Sequence, residues 1–162
     1  MQVNNTLQDA IPAIGSVWEG QGGIYAGIRQ SEDGRLYHLI FAEKDVGDHA
    51  WGERGTETSA TSKVDGILNT TVLLDAPGSF PAADAAAKYA ADGHADFYLP
   101  SIGELNHGWQ ILAEYLSKTW YWSSSQRSAY LAFTMHFDAG SQYYDDKDDE
   151  LRVRPVRKLF IQ

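Results

Sequence analysis

The apolar residues of this chain change their period twice, and that order constrains the fold more than any single motif. In Ala129–Phe137, Leu131, Phe133, Met135 and Phe137 alternate with Tyr130, Ala132, Thr134 and His136. This is the two-residue period of a strand with one face on a core and one turned outward. Near the other end, Gly22–Gln30 alternates Ile24, Ala26 and Ile28 against Tyr25 and Gly27. The Asp33-Gly34 turn then returns the chain along Arg35–Asp45, so a β-hairpin is expected. Between these regions the period lengthens. Ser101–Leu116 carries Leu105, Trp109, Leu112 and Leu116 at helical spacing, with Ser101 placed as N-cap and Glu104 three residues on, the pattern of a capping box. Phe80–Gly93 is rich in alanine, with Pro81 near its first position and Gly93 past its end. Strands, then two helices, then strands predict an α+β fold with segregated elements, not an alternating parallel sheet.

The remaining segments fill in this outline. Thr119–Ser124 reads as a strand, and Asp138–Ser141 as a turn after which Gln142–Asp145 pairs back. Asp146–Asp149 turns again, and Glu150–Phe160 closes the domain with Leu151 and Val153 opposite Arg152 and Arg154. Pro155 marks an edge position or a bulge there. Residues 46–80 read as a long irregular loop, with Ile67–Asp75 a short strand or one helical turn. Residues 1–15 are expected to form an N-terminal arm for attachment or oligomerisation, and residues 16–162 one domain.

Composition narrows the function classes. A formal net charge of −9 repels a phosphate backbone, so nucleic acid is not an expected partner. The absence of cysteine removes disulfides, thiolate metal sites and cysteine nucleophiles together. No run of about 18 apolar residues is present, so no membrane insertion is expected. The first residues lack the basic region and apolar core of a Sec signal peptide.

Several groups carry potential chemistry. Ser123, Ser124 and Ser125 precede His136 and Asp138, but no G-x-S-x-G elbow frames them, and the serines read as hydroxyls that satisfy backbone groups. The acidic turn offers Asp145, Asp146, Asp148 and Asp149 as candidate Ca²⁺ ligands, without the central glycine or loop frame of an EF-hand. Calcium is the one cofactor considered. The five histidines, His38, His49, His94, His107 and His136, are scattered and form no zinc motif. The glycines of Gly20–Gly27 lead into a strand, not a helix, which argues against a nucleotide loop. The strongest pattern is a set of aromatic and polar residues suited to recognition: Gln126, Arg127, Tyr130, Thr134, His136, Asp138, Tyr143 and Tyr144. Trp51 either joins that surface or plugs the long loop.

Three stretches stand in a telling order: Phe97–Leu105 (FYLPSIGEL), Tyr121–Gln126 (YWSSSQ) and Leu151–Arg157 (LRVRPVR). Together they resemble the domain family found at the C-terminus of a bacterial collagen-like adhesin. That family carries Leu-Pro-[Ser/Thr]-x-x-Glu-Leu, here Leu99, Pro100, Ser101, Glu104 and Leu105, then Tyr-Trp-Ser-Ser, here Tyr121 to Ser124. Its closing Val-Arg-x-Val-Arg falls on Val153, Arg154, Val156 and Arg157. The resemblance implies a C-type-lectin-like fold with two helices, a small antiparallel sheet and long loops. It also implies a non-enzymatic recognition or adhesion module of a phage tail or bacterial surface. Such a module binds a host-surface glycan or protein and assembles, with a trimer favoured, through residues 1–15. Within the resemblance, Trp122 is expected as a core plug, and Arg154 and Arg157 to pair with carboxylates such as Glu104. The alternatives are a structural decoration protein of a virion and an enzyme of the formylglycine-generating type, whose known relatives use cysteines that this chain lacks. The Glu-Pro-Asn and Gln-Pro-Asp tripeptides of calcium-dependent lectins are absent too.

Overall fold

The computed structural model describes residues 11–162. Most of the expected N-terminal arm, residues 1–10, lies outside them. Its remainder is tied down: the Gly15 amide donates to the Tyr25 carbonyl at 2.8 Å, and Ile14 packs on Gly27.

The elements run β1 (Val17–Trp18), β2 (Gly23–Gln30), β3 (Leu36–Ala42), β4 (Asp48–Ala50), α1 (Gly66–Asp75), α2 (Pro81–Lys88) and α3 (Ile102–Leu112). A 3₁₀ turn, β5 (Trp120–Gln126), β6 (Leu131–His136), β7 (Ser141–Asp146), β8 (Glu150–Arg152) and β9 (Val156–Phe160) follow. The chain is α+β, as its periodicity predicts. It has three helices and two sheets, where two helices and one small sheet are expected from the sequence. One sheet is ordered β1-β2-β3-β9 and the other β4-β8-β5-β6-β7. Pairing is antiparallel except where β8 meets β5 at Tyr121 and Arg152. No helix among the described residues is long and apolar enough to cross a membrane.

The closing segment explains the second sheet. Pro155 has no amide to donate, so the ladder breaks there. The chain leaves the larger sheet after β8 and joins the smaller one as β9 beside β3. The hairpin β2–β3 forms as expected, but Gly27 takes φ +88° and opens a bulge between Tyr25 and Ile28. The bulge breaks the expected Ile24–Ala26–Ile28 face, leaving Ile28 half exposed while Tyr25 is buried.

The third helix is the segment expected to be irregular. Its run of Thr70, Thr71 and Val72 disfavours a helix. Local bonds and tertiary packing together override that preference: Asp65 caps the first turn through the Leu68 amide at 3.0 Å and Asn69 holds the amide and the carbonyl of Ser62, while Leu73 enters the core and Asn69 Nδ2 donates to Ser124 Oγ at 3.2 Å. α2 ends at Lys88, short of Gly93, because Tyr89 turns extended and packs its ring 4.7 Å from Phe97. α3 starts as its sequence predicts, with the reciprocal bonds of a capping box between Ser101 and Glu104, each 3.1 Å. Gly108 lets α3 lie close on β3, since a Cβ there would stand 2.3 Å from the Phe41 ring.

β5 and β6 are buried on both faces. Tyr121, Met135 and Phe137 enter a cluster with Leu39, Phe41, Leu105 and Val156. Trp122 and Ala132 face a second cluster with Trp51, Leu73, Phe80, Leu99 and Val153. Trp122 is the core plug expected, with Nε1 donating to the His49 carbonyl at 2.7 Å. Glu104 is wholly buried but meets no arginine, correcting that pairing. Its Oε1 accepts from the Gly66 and Ser101 amides, and its Oε2 from the Tyr98 hydroxyl. Oε1 is thus consumed at two helix starts and Oε2 by a buried hydroxyl. Arg154 pairs instead with Asp45 at 2.9 Å, and Arg157 with Asp96 at 2.8 Å.

Candidate recognition surface

The three serines of β5 are structural. Ser123 Oγ donates to the Phe133 carbonyl, Ser124 Oγ accepts from Asn69 Nδ2, and Ser125 Oγ links the Ser62 carbonyl to the Ile102 amide. All three are fully buried. They occupy the stretch between Trp122 and Gln126 where the β5–β6 register shifts, so hydroxyls replace bonds that the ladder does not make.

Of the eight residues expected on a recognition surface, two are buried instead. Thr134 has no exposed surface, and its Oγ1 donates to Asp145 Oδ2 at 2.7 Å. Gln126 is held inside by the long loop: its Oε1 accepts from the Thr58 amide at 2.8 Å, Thr58 Oγ1 at 3.0 Å and Lys147 Nζ at 2.9 Å. The physical reason is shared. The loop after β4, with α1 behind it, covers the face of β5–β6 that carries both residues.

The other six stay at or near the surface, and five of them make ring or cation contacts. Arg127 lies over the Tyr144 ring, 3.9 Å from its centroid. Tyr144 stacks on Tyr143 at 4.7 Å with an interplanar angle of 8°. Tyr143 meets Trp120 at 6.1 Å, and Trp120 meets the edge of His136 at 4.8 Å. The result is a continuous strip from the β5–β6 loop across β7 to the start of β5. Tyr143, on the edge strand, is 53% exposed, and Tyr130, in the β5–β6 loop, 52%. Arg54 lies 5.0 Å from the Tyr130 ring centroid while its Nε donates to Asp146 at 2.7 Å. Asp138 is exposed. Its amide donates to His136 Nδ1 at 3.2 Å, so a neutral imidazole carries its proton on Nε2. β7 is the edge of its sheet, and no strand among the described residues covers its outer side.

Trp120 belongs to this strip and was missed: alternation puts it on the face of the core plug Trp122, but it opens β5 opposite His136 and is only half-buried there. Arg54 was missed too, because nothing in an irregular loop ties it to Tyr130 and Asp146.

The acidic turn is not an assembled cation cage. Asp145 is engaged by Thr134. Asp146 accepts from Arg54 and from the Asp148 amide, which hold its carboxyl below the ordinary carboxylate range. Asp148 and Asp149 are exposed. No group of three His, Asp or Glu side chains able to hold a metal ion forms among the described residues. Lys147 reverses the picture of a solvated charge run: it is fully buried at the centre of the turn. Its Nζ donates to the Thr56 carbonyl and Gln126 Oε1, each at 2.9 Å, and lies 4.7 Å from the Trp51 ring centroid. Burial pushes its pKa down to about 8. Trp51 plugs the loop and does not join the strip, with Nε1 donating to the Ser123 carbonyl at 2.9 Å.

No protein-family model matches the chain, and no curated protein matches it.

Proposed function

We propose that this chain is a non-enzymatic recognition module of C-type-lectin-like fold, carried on a phage tail or bacterial surface, that binds a host-surface glycan or protein. The observation that carries the reading is the strip Arg127–Tyr144–Tyr143–Trp120–His136, with Tyr130 and Arg54 beside it. Stacked rings present large contact area while giving up little side-chain freedom on binding, because their neighbours already fix them. The edge strand is paired along its length with β6, which with β5 is packed on both faces. The motif order Leu99–Leu105, Tyr121–Ser124 and Val153–Arg157 supports the fold assignment. Homo-oligomerisation, with a trimer favoured, belongs to the same proposal.

The test is binding of the labelled protein to immobilised glycans and to intact bacterial cells, with and without the combined substitution Arg127→Ala, Tyr130→Ala and Tyr143→Ala. All three side chains are exposed, so the variant is expected to keep its circular dichroism spectrum while its binding falls by at least tenfold. Undiminished binding by the folded variant would sink the reading. The uncovered edge of β7 favours one competitor, a decoration protein that binds only its own assembly. In that case the same substitutions would dissolve an oligomer and leave no surface binding to lose.

A further inference from the structure

A second site lies away from the strip and shares no residue with it. α1 is an unusual surface helix. Asp75 is its only charged residue, and Ile67, Thr71 and Leu74 point outward at the i, i+4, i+7 spacing of an apolar stripe. Ile67 is 38% exposed and Leu74 46%, where a solvent-facing helix surface ordinarily carries charge. This stripe walls a cavity of about 370 Å³, closed on its other sides by Ala87, Phe97, Tyr98 and Phe160. A second cavity of about 360 Å³ continues it toward the β2–β3 turn, sharing Ile67, Lys158 and Phe160. Each space is in the range of small-molecule sites; the first is lined mainly by apolar side chains, and the second adds Ser31, Glu32, Asp33, Arg35 and Asp65 at its far end.

Lys158 sits where the two cavities meet. Its side chain is 4% exposed, and its Nζ lies 4.5 Å from the Tyr37 ring centroid and 5.9 Å from that of Tyr98. Among the described residues this ammonium has an ion contact but no hydrogen bond. The nearest carboxylate oxygen, Asp65 Oδ1, is 3.6 Å away and already accepts from the Leu68 amide at 3.0 Å. The side chain is nearly buried but its nitrogen reaches the groove, so its donors face the groove space and meet no acceptor on the protein among the described residues. The charges decide which acceptor. Asp65 already offsets the ammonium, Asp33 is paired with Arg35 and Asp96 with Arg157, and Glu32 adds a negative charge lining the same space, so a further anion is disfavoured. The Lys158 ammonium disfavours a cation.

We propose that this groove binds a small apolar molecule bearing one neutral oxygen acceptor, as an amide, ester or alcohol does. Lys158 donates to that oxygen, and the hydrocarbon body lies along Ile67, Leu74 and Phe160. The probes are octanamide, octanoate and octylammonium, measured on the full chain by calorimetry and ligand-observed NMR. Octanamide is expected to bind saturably and more tightly than either charged probe. Lys158→Met keeps the apolar stem and removes the donor, so it should weaken octanamide by about tenfold. Ile67→Glu puts a carboxylate on the apolar wall and should abolish binding. Thermal melts establish that both variants are folded before they are compared. Any of three results would overturn the proposal: no saturable binding to the wild-type chain, octanoate binding tighter than octanamide, or equal binding by the wild type and the folded Lys158→Met protein. A wild-type dimer that Ile67→Glu splits would also overturn it, by assigning the groove to a second copy.

Discussion

Replacing Lys147 with methionine should change how stability depends on pH, and the size of the change follows from the structure. The ammonium is fully buried and its hydrogen-bond acceptors are two neutral oxygens, of Thr56 and Gln126, with no carboxylate bonded to it. Burial lowers its pKa from 10.5 to about 8. For a base, this means that the unfolded chain holds the extra proton between about pH 8 and 10.5, so this group makes stability rise with pH across that window. At neutral pH the cost of keeping it charged inside is about 3 kcal/mol, from two to three pKa units at 1.36 kcal/mol each. Relief of that cost between pH 8 and 9.5 amounts to roughly 1.5 kcal/mol. The substituted methionine would retain the apolar stem beside Trp51, and Gln126 Oε1 would keep both Thr58 donors. Urea unfolding followed by tryptophan fluorescence at pH 7.5, 8.5 and 9.5 should therefore show the wild type gaining on Lys147→Met as pH rises. Comparing the two proteins at each pH cancels the tyrosines, whose raised values weaken the fold above pH 10 in both. Parallel curves would refute the reasoning and mean that Lys147 is solvated or paired.

Three further substitutions test the framework. Glu104→Ala strips the acceptor from the buried Gly66 and Ser101 amides and the Tyr98 hydroxyl, and should cost at least about 3 kcal/mol in urea unfolding. Asp45→Asn leaves the nearly buried Arg154 without its carboxylate and loosens Arg152 and Tyr121, for a loss of about 3 kcal/mol and a lower melting temperature. Gly108→Ala drives a methyl into the Phe41 ring and should cost about 2 kcal/mol, with a shifted Phe41 signal in NMR spectra.

How much of this was legible depended on whether a feature is local. The α3 capping box, the β2–β3 hairpin and the β6–β7 pairing are set by neighbouring residues, and their sequences announce them. α1 is only partly local in this sense: Thr70, Thr71 and Val72 argue against a helix, Asp65 caps it from the preceding position, and Asn69 and Leu73 hold it through contacts with distant elements. Alternation in β6 identified the two faces of the strand but not that a loop and helices cover the second one, which is why Thr134 reads as a surface residue and is buried. Gln126 reads as part of the loop before β6, yet it is the last residue of β5 and lies under the Thr58 loop. Lys147 was hidden for a related reason. Its flanking aspartates describe a solvated turn, while its own side chain is drawn inward by the Trp51 loop, which begins almost a hundred residues earlier in the chain.

The central claim is that the strip on the β7 edge is the recognition surface. Two tyrosines offer the cleanest comparison: Tyr143, 53% exposed within the strip, and Tyr115, 54% exposed outside it. The deciding measurement is the binding of wild type, Tyr143→Ala and Tyr115→Ala to the same host cells in one titration. The account predicts a loss of tenfold or more for Tyr143→Ala and none for Tyr115→Ala. Equal binding by all three, or a loss confined to Tyr115→Ala, would contradict it.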